Sequence, residues 1–528
     1  MNRNLLISAL FLILVVAHPA SGQGIEVLAR QAGTRAGWSL DGPALSEYGL
    51  LGNSIANVRA SGDSVWVGPY LNLTTDGGAT WRVADTDSLF GTANRLYSID
   101  IEDGVIWAGL GRSDASQGDA VQTAAGFLVS TDGGLTFEYR FPQLDDPSDD
   151  TETYGANVLA ALPVIVPQQS PPFDIDYDAR TGTIWVAGWA SGIRRSGDGG
   201  RTWSRVVLPP DELEEITPSG TYDFAVEPQR GGTGELNHMG FSVLADEAGT
   251  IWAGTPLGIN RSLDGGLSWK RFGVAAAPAG LPGSWVISIE EEPVPGPNPV
   301  WVAAWNAGEA GGGGQFGVAV TRDGGESWEH TLQGQRIYDF GFAPGRVYAA
   351  GDEGLFVSDD GGRSWESTRS FVDRNEPTRF VRPGAAVYSV DYENSALWVG
   401  TEDGLIRSRD QGRTWSVFRV DVPLHPAVEN ARAPDVDTYA YPNPFSPAVD
   451  RFVRIKFEAP GSARVTLRVF DSSMGLVRRF DESRDAGTGE FVWDGTDDRG
   501  TRIANGVYFY DLSGAGAGSV RGKILVIE

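Results

Sequence analysis

The chain has 528 residues, 42 Lys and Arg against 69 Asp and Glu, and a formal net charge of −27. A chain this acidic repels a phosphate backbone, and no local basic patch offsets it, which excludes nucleic acid as a partner. Cysteine is absent, which removes disulfides, thiol catalysis, Cys-based zinc sites and a lipidated cysteine; the four His (His18, His238, His330 and His425) are too scattered in sequence for a metal cluster, so no metal or cofactor is expected.

The N-terminus reads as an export signal. Arg3 gives a short basic region, Leu5 to Ala17 is apolar or small throughout but too short to span a bilayer comfortably, and Ala20-Ser21-Gly22 offers small residues for cleavage. Residues 1–22 are therefore expected to be a signal peptide. The mature chain is expected to be soluble, outside the cytoplasm and without a transmembrane segment. Residues 23–51, with Trp38, precede the first complete repeat and are expected to close or cap the domain that follows.

From residue 52 to 420 one octet recurs seven times: T74-T-D-G-G-A-T-W81, S130-T-D-G-G-L-T-F137, S196-G-D-G-G-R-T-W203, S262-L-D-G-G-L-S-W269, T321-R-D-G-G-E-S-W328, S358-D-D-G-G-R-S-W365 and S408-R-D-Q-G-R-T-W415. A recurrence every roughly 40 to 65 residues marks a repeat architecture. Upstream of each copy lies an aliphatic–aromatic pair: Val65-Trp66, Ile106-Trp107, Ile184-Trp185, Ile251-Trp252, Val300-Trp301, Val347-Tyr348 and Leu397-Trp398. The octet has the chemistry of a turn. Its Asp accepts downstream N–H groups, the Gly pair supplies positive φ, the second hydroxyl is expected to close onto the backbone, and the aromatic begins a strand. Short apolar or alternating runs such as Tyr97-Ser-Ile-Asp-Ile101 and Val387-Tyr-Ser-Val390 surround it, and no long amphipathic helix is evident. Each unit thus supplies four antiparallel strands, the pattern of a propeller blade. The expected fold is all-β: a seven-bladed β-propeller of four-stranded blades, followed by a small Ig-like β-sandwich.

The octet resembles the Asp box, or bacterial neuraminidase repeat, at all seven copies, with only Gln411 breaking the Gly pair. In that family the box lies at the turn between the third and fourth strands of a blade and is structural. The resemblance therefore assigns Asp76, Asp132, Asp198, Asp264, Asp323, Asp360 and Asp410 to turn formation, not catalysis. Twelve of the 17 Trp belong to the two repeated motifs and are expected in the core.

Residues 421–438 carry three prolines and no aromatic until the end, and read as a linker. Residues 439–528 hold short alternating strands, Val453 to Phe457, Val465 to Phe470, Gly489 to Trp493 and Val507 to Tyr510, the syntax of a small β-sandwich. Asp494, Asp497 and Asp498 are read as a hairpin turn with Gly495 and Gly500 in preference to a calcium loop. The segments Tyr441-Pro-Asn-Pro-Phe445, Trp493 to Gly500, Asn505 to Tyr510 and Gly522 to Val526 resemble the FlgD-like Ig domains and type A sorting domains of type IX secretion. That resemblance implies export through the type IX machinery to the outside or outer surface of a Gram-negative cell. The ending Val526-Ile527-Glu528 departs from the basic terminus many sorting domains carry.

In such blades, the loops after the second and fourth strands share one face, and the octets lie on the other. The long segments Gly109–Gly126, Glu138–Phe173, Ser204–Gly240, Lys270–Ser284 and Trp305–Gln315 all fall in the first group and are expected to be insertions there. That face is the candidate site. Trp189, Trp285, Trp305, Tyr222, Asn237 and His238 lie on it outside the repeats, and aromatics with amides suit a glycan or an extracellular protein ligand. Asp145, Asp146, Asp149 and Asp150 are expected to form a solvated acidic loop tip. No nucleophile elbow, phosphate loop or zinc signature appears. No Arg-Ile-Pro-like segment precedes the first octet, and Phe380 to Pro383 is a poor and misplaced substitute. The preferred reading is a non-catalytic binding protein. The alternative is a secreted glycoside hydrolase, sialidase-like or endo-glucanase-like, for which Asp176, Glu235 and Glu309 are candidate acids.

Overall fold

A unit of four strands and a turn cannot bury both faces of its own small sheet, so neighbouring units must stack. In the computed structural model they do. It describes residues 50, 52–83, 94–114, 120–229, 233–306, 316–376, 379–419, 438–441, 443–447, 452–459, 461–484, 487–514 and 519–527. The expected signal peptide, Trp38, the linker up to residue 437, and residues 307–315 of the Trp305–Gln315 segment, Glu309 among them, lie outside these. Every named element is a β-strand. Seven antiparallel meanders follow one another, each of four strands consecutive in sequence, and the fourth gains an outer strand at Glu215–Ile216. Their first strands are Val58–Ser61, Arg95–Glu102, Pro172–Asp178, Ser242–Ala245, Trp285–Glu291, Ile337–Ala343 and Val387–Glu393. Each touches the first strand of the next sheet, and the seventh touches that of the first. The sheets form a closed ring around a channel, a β-propeller.

The two repeated motifs interlock between sheets. In the third sheet, Ser196 Oγ donates to Asp198 (2.8 Å) and accepts the Gly200 N–H (2.9 Å), while Thr202 donates to Asp198 through both its N–H (3.0 Å) and its hydroxyl (2.7 Å). The first hydroxyl therefore takes the Gly200 N–H, and the second bonds the carboxylate and not the backbone, onto which it is expected to close the loop. The first hydroxyl keeps this double role in all seven octets. The second glycine also makes room for the aromatic of the preceding sheet. A Cβ on Gly266 would lie 2.7 Å from the Trp185 ring, and Gly134 with Trp66, Gly200 with Trp107, Gly325 with Trp252 and Gly362 with Trp301 repeat the contact. An arginine completes six of the seven joints: Arg195 lies over Trp185 and donates to Gly265 O (2.9 Å), and Arg140, Arg261, Arg322, Arg346 and Arg407 reach the next octet in the same way.

Among the described residues, no strand from one end of the chain completes a sheet at the other. The ring shuts through side-chain packing and a main-chain hydrogen bond instead. Trp398 meets Trp81 edge-on at 6.3 Å and stacks on Phe418, and the Ile55 N–H donates to Thr401 O (2.9 Å). Leu50, at the end of the segment expected to close the domain, is fully buried in this cluster.

Two sequence expectations need correction. Gly109–Gly126 is not an insertion loop: Val105–Asp114 and Val121–Ser130 pair as far as Asp114 with Val121, so the strands extend past the sheet. The glycines mark a shift of register and a positive φ at Gly126, a bulge and not a chain break. Asp145 is not solvated either. It forms a two-pronged ion pair with buried Arg194 (2.5 and 2.9 Å), meets Arg205 and accepts the Val164 N–H (2.7 Å). Asp146, Asp149 and Asp150 are exposed as expected. A loop this long needs anchoring of its own, and Asp145 supplies it.

The C-terminal residues form a three-stranded and a four-stranded sheet that share one apolar core around Trp493, Phe445 and Tyr510. Asn443 clamps the last strand by donating to Lys523 O and accepting the Leu525 N–H. Asp494 and Asp497 accept N–H groups within their own turn, as a hairpin requires. This unit docks on the seventh sheet. Arg454, only 3% exposed, sits between Asp403 (3.6 Å) and Glu490 (3.7 Å), with Phe380 against its guanidinium.

Candidate functional site at the channel mouth

The first strands of a ring of sheets are edges, with unpaired N–H groups facing the channel. Carboxylates of the neighbouring sheet satisfy them here. Asp100 accepts the Tyr177 N–H (2.8 Å), Asp174 that of Val243 (3.0 Å), Asp339 that of Val390 (3.0 Å) and Asp391 that of Ala60 (2.7 Å). Arg59 spans the channel to Glu290 (2.8 Å) and approaches Asp339 (3.5 Å). Burial among other acids pushes Asp391 up to about 6, Asp174 to about 7 and Glu290 to about 8, against the pull of Arg59; Asp100 and Asp176 rise as well, chiefly by desolvation.

At the insertion-bearing end five of the seven first strands are bulged. The register skips Tyr97, Phe173, Ile287, Tyr338 and Tyr388 in the second, third, fifth, sixth and seventh sheets. A bulge frees one residue from the ladder and re-aims its side chain. All five line the same small cavity above the carboxylates, as does Asn57 of the first sheet. Phe241 continues the ring in the fourth sheet, 6.3 Å from Phe173. The sequence carries this signal as a third repeated motif, Tyr97-Ser, Phe173-Asp, Phe241-Ser, Ile287-Ser, Tyr338-Asp and Tyr388-Ser, each followed by a hydrophobic residue. It is easily read as ordinary strand alternation.

The six residues singled out from sequence fall into two groups. Trp189 and Trp285 are half-buried and close on each other (6.1 Å) and on Phe241 (5.1 and 5.4 Å), extending the aromatic ring outward. The other four serve the loops. Trp305 donates to Ile337 O (2.9 Å) and meets Tyr338 edge-on. Tyr222 Oη accepts the Thr217 N–H, and its ring packs near Tyr154 and Phe224. Asn237 is fully buried and bonded to Pro209 O, Asn260 and Thr255. His238 accepts the Glu227 N–H and faces Leu208 O (3.0 Å). Of the candidate acids, Asp176 lies on the channel strand Pro172–Asp178, and Glu235 caps the Asp211 N–H (2.7 Å).

A larger cavity, of about 540 Å³, lies at the opposite end between the third and fourth sheets, bordered by Arg180, Thr202, Trp185 and Arg195. It is the gap between two octets. Its arginines are already engaged, Arg180 with Asp178 and Arg195 with Gly265 O. Among the described residues, no group of three or more His, Cys, Asp or Glu could hold a metal ion, and no helix is long and apolar enough to cross a membrane.

Residues 449–518 match the FlgD Ig-like domain family. No curated protein matches the chain. Among solved structures, it is similar to PorZ, an essential surface component of the type-IX secretion system of Porphyromonas gingivalis. There the identity is 15% and the TM-score 0.42, over 90% of this chain and 66% of that one. It is similar to YCF48 from Cyanidioschyzon merolae at 18% identity and a TM-score of 0.41, over 68% and 96%. With the Niastella koreensis GH74 enzyme the figures are 14% and 0.46, over 90% and 67%. The chain thus spans about two thirds of PorZ and of the GH74 enzyme. The closed ring follows from this chain's own sheet order and contacts.

Proposed function

We propose that this is a secreted or cell-surface binding protein. In this reading a seven-bladed Asp-box propeller holds a glycan or an extracellular protein at its channel mouth. An Ig-like C-terminal domain serves export through the type IX machinery. The observation that carries the binding role is the set of bulged aromatic residues at the mouth, Tyr97, Phe173, Tyr338 and Tyr388, joined by Phe241 and continued by Trp189 and Trp285 on the insertion-bearing face. Bulges spend ladder hydrogen bonds to aim side chains, and half-buried aromatics offer flat contact area at little entropic cost. A binding role is favoured over hydrolysis because Asp100, Asp174, Asp339 and Asp391 already serve the main chain of the next sheet. The FlgD Ig-like match and the two-sheet core support the sandwich assignment.

The test is a screen of glycans and surface-protein extracts against wild type and the Trp189→Ala/Trp285→Ala double variant. The expected outcome is at least a tenfold loss of affinity, about 1.4 kcal/mol or more, with the melting temperature held. Undiminished binding by the double variant would reject the mouth as the site. Release of reducing sugar by the wild type would favour the glycoside hydrolase instead.

A further inference from the structure

What enters the throat below the aromatic ring can be named more closely, on the footing that the mouth is a ligand surface. A cavity of about 110 Å³ is lined both by the bulged side chains and by Asp174, Glu290 and Asp339. This is well below the roughly 300 Å³ at which small-molecule pockets begin, too narrow for a pyranose ring but suited to a slender chain with a compact tip.

Its charge is one-sided. The second sheet contributes Asp100, the third Asp174 and Asp176, the fifth Glu290, the sixth Asp339 and the seventh Asp391, while the fourth presents Ser242 and Leu244. The first sheet offers the sole cation of these strands' channel-facing set, Arg59. Tyr97, Tyr338 and Tyr388 stand above, held neutral by burial, which raises all three well clear of physiological pH. The raised values of Asp174, Glu290 and Asp391 are those of carboxylates short of counter-charge.

A second observation is independent of charge. Ser98, Ser242 and Ser389 follow the bulge position and donate to Pro172 O, Val286 O and Asp339 respectively. Ser288 occupies the same position in the fifth sheet, is only 8% exposed and lines the cavity, yet has no hydrogen-bond partner among the described residues. Its hydroxyl therefore keeps donor and acceptor capacity for a polar group in the cavity, and Asn57 Oδ1 and Tyr97 Oη on the same lining are buried with no hydrogen-bond partner. Arg59 already shows the chemistry the throat accepts: an aliphatic stem ending in a cation against Glu290.

We infer that the throat receives the ammonium tip of a lysine side chain presented by a polypeptide, its methylenes against the rings of Tyr97, Phe173, Tyr338 and Tyr388 and its N–H donors toward Asp174, Glu290 and Ser288.

The test is calorimetric titration of the full chain, at physiological salt, with acetyl-Gly-Lys-Gly-amide, its norleucine counterpart and glucosamine. The lysine peptide is expected to bind at pH 8 and about tenfold more weakly at pH 5, where the carboxylates take up protons while lysine stays charged. At pH 8 Asp174→Asn and Glu290→Gln each lower affinity about tenfold, and Ser288→Ala lowers it about threefold, in variants whose melting temperatures at that pH are no lower than wild type's. Arg59→Met, which removes the internal competitor, raises it. Equal binding of the lysine and norleucine peptides overturns the ammonium assignment and leaves the aromatic mouth standing if Trp189→Ala/Trp285→Ala still abolishes binding elsewhere. Glucosamine binding without the lysine peptide overturns it in favour of an amino sugar.

Discussion

Gly265 and Gly266 have nearly the same backbone conformation, φ +71° and +86°, and quite different surroundings. A Cβ on Gly265 meets open space, whereas one on Gly266 meets the Trp185 ring at 2.7 Å. The first substitution pays only for left-handed backbone; the second must also push a tryptophan out of a packed joint. Gly265→Ala is therefore expected to destabilise by about 1 kcal/mol and Gly266→Ala by about 3 kcal/mol or more. Urea unfolding of both variants checks this, and equal costs would show that the glycine–tryptophan contact between sheets is loose. Gln411, at φ +59° where the other octets have glycine, shows that the first position tolerates a side chain at the price of strain alone.

At the scale of elements, the first strands decide how stability responds to pH. Asp391, Asp174 and Glu290, at about 6, 7 and 8, hold protons that the unfolded chain releases near pH 4, so the folded state binds more protons between those limits. Stability from this source is complete below pH 4 and falls as pH rises through 6 to 8. The octets act in the opposite sense. The Thr202 N–H holds Asp198 at about 2, and the Ser364 hydroxyl does the same for Asp360, so their contribution is present above pH 4 and lost toward pH 2. Calorimetry should find the highest melting temperature near pH 5, with a decline both toward pH 8.5 and below pH 4. A melting temperature that climbs from pH 5 to 8.5 would contradict the description of the channel. Asp174→Asn should flatten the alkaline side of the profile.

Over the whole molecule, the joint between the last sheet and the first is the one whose two sheets are not consecutive in sequence. The C-terminal unit buttresses this region. Tyr439 packs on the closure cluster, and Arg419, Arg454 and Lys456 meet Asp403 and Glu490 with almost no solvent contact. Breaking a buried pair from one side leaves charge stranded and costs about 3 kcal/mol. Arg454→Met should therefore uncouple the C-terminal unit, so that a differential scanning trace shows it melting in a separate, earlier transition. An unchanged trace would mean the ion cluster contributes nothing to docking.

The sequence alone determined the all-β class, the four-strand unit and the turn role of the octet aspartates, because each rests on local chemistry: an Asp, a positive φ and an alternating run act within a few residues of themselves. It also located the insertion-bearing end, since loop length is written in the chain. Tertiary structure decided what those residues face. Trp189 and Trp285 reach the channel mouth while Asn237 and His238 are consumed inside a loop, and nothing in their spacing separates the two outcomes. Asp145 found Arg194 forty-nine residues away, and Asp100 found the Tyr177 N–H across a sheet boundary. Pairings of that kind depend on which sheets become neighbours, a property of the closed ring and not of any one repeat.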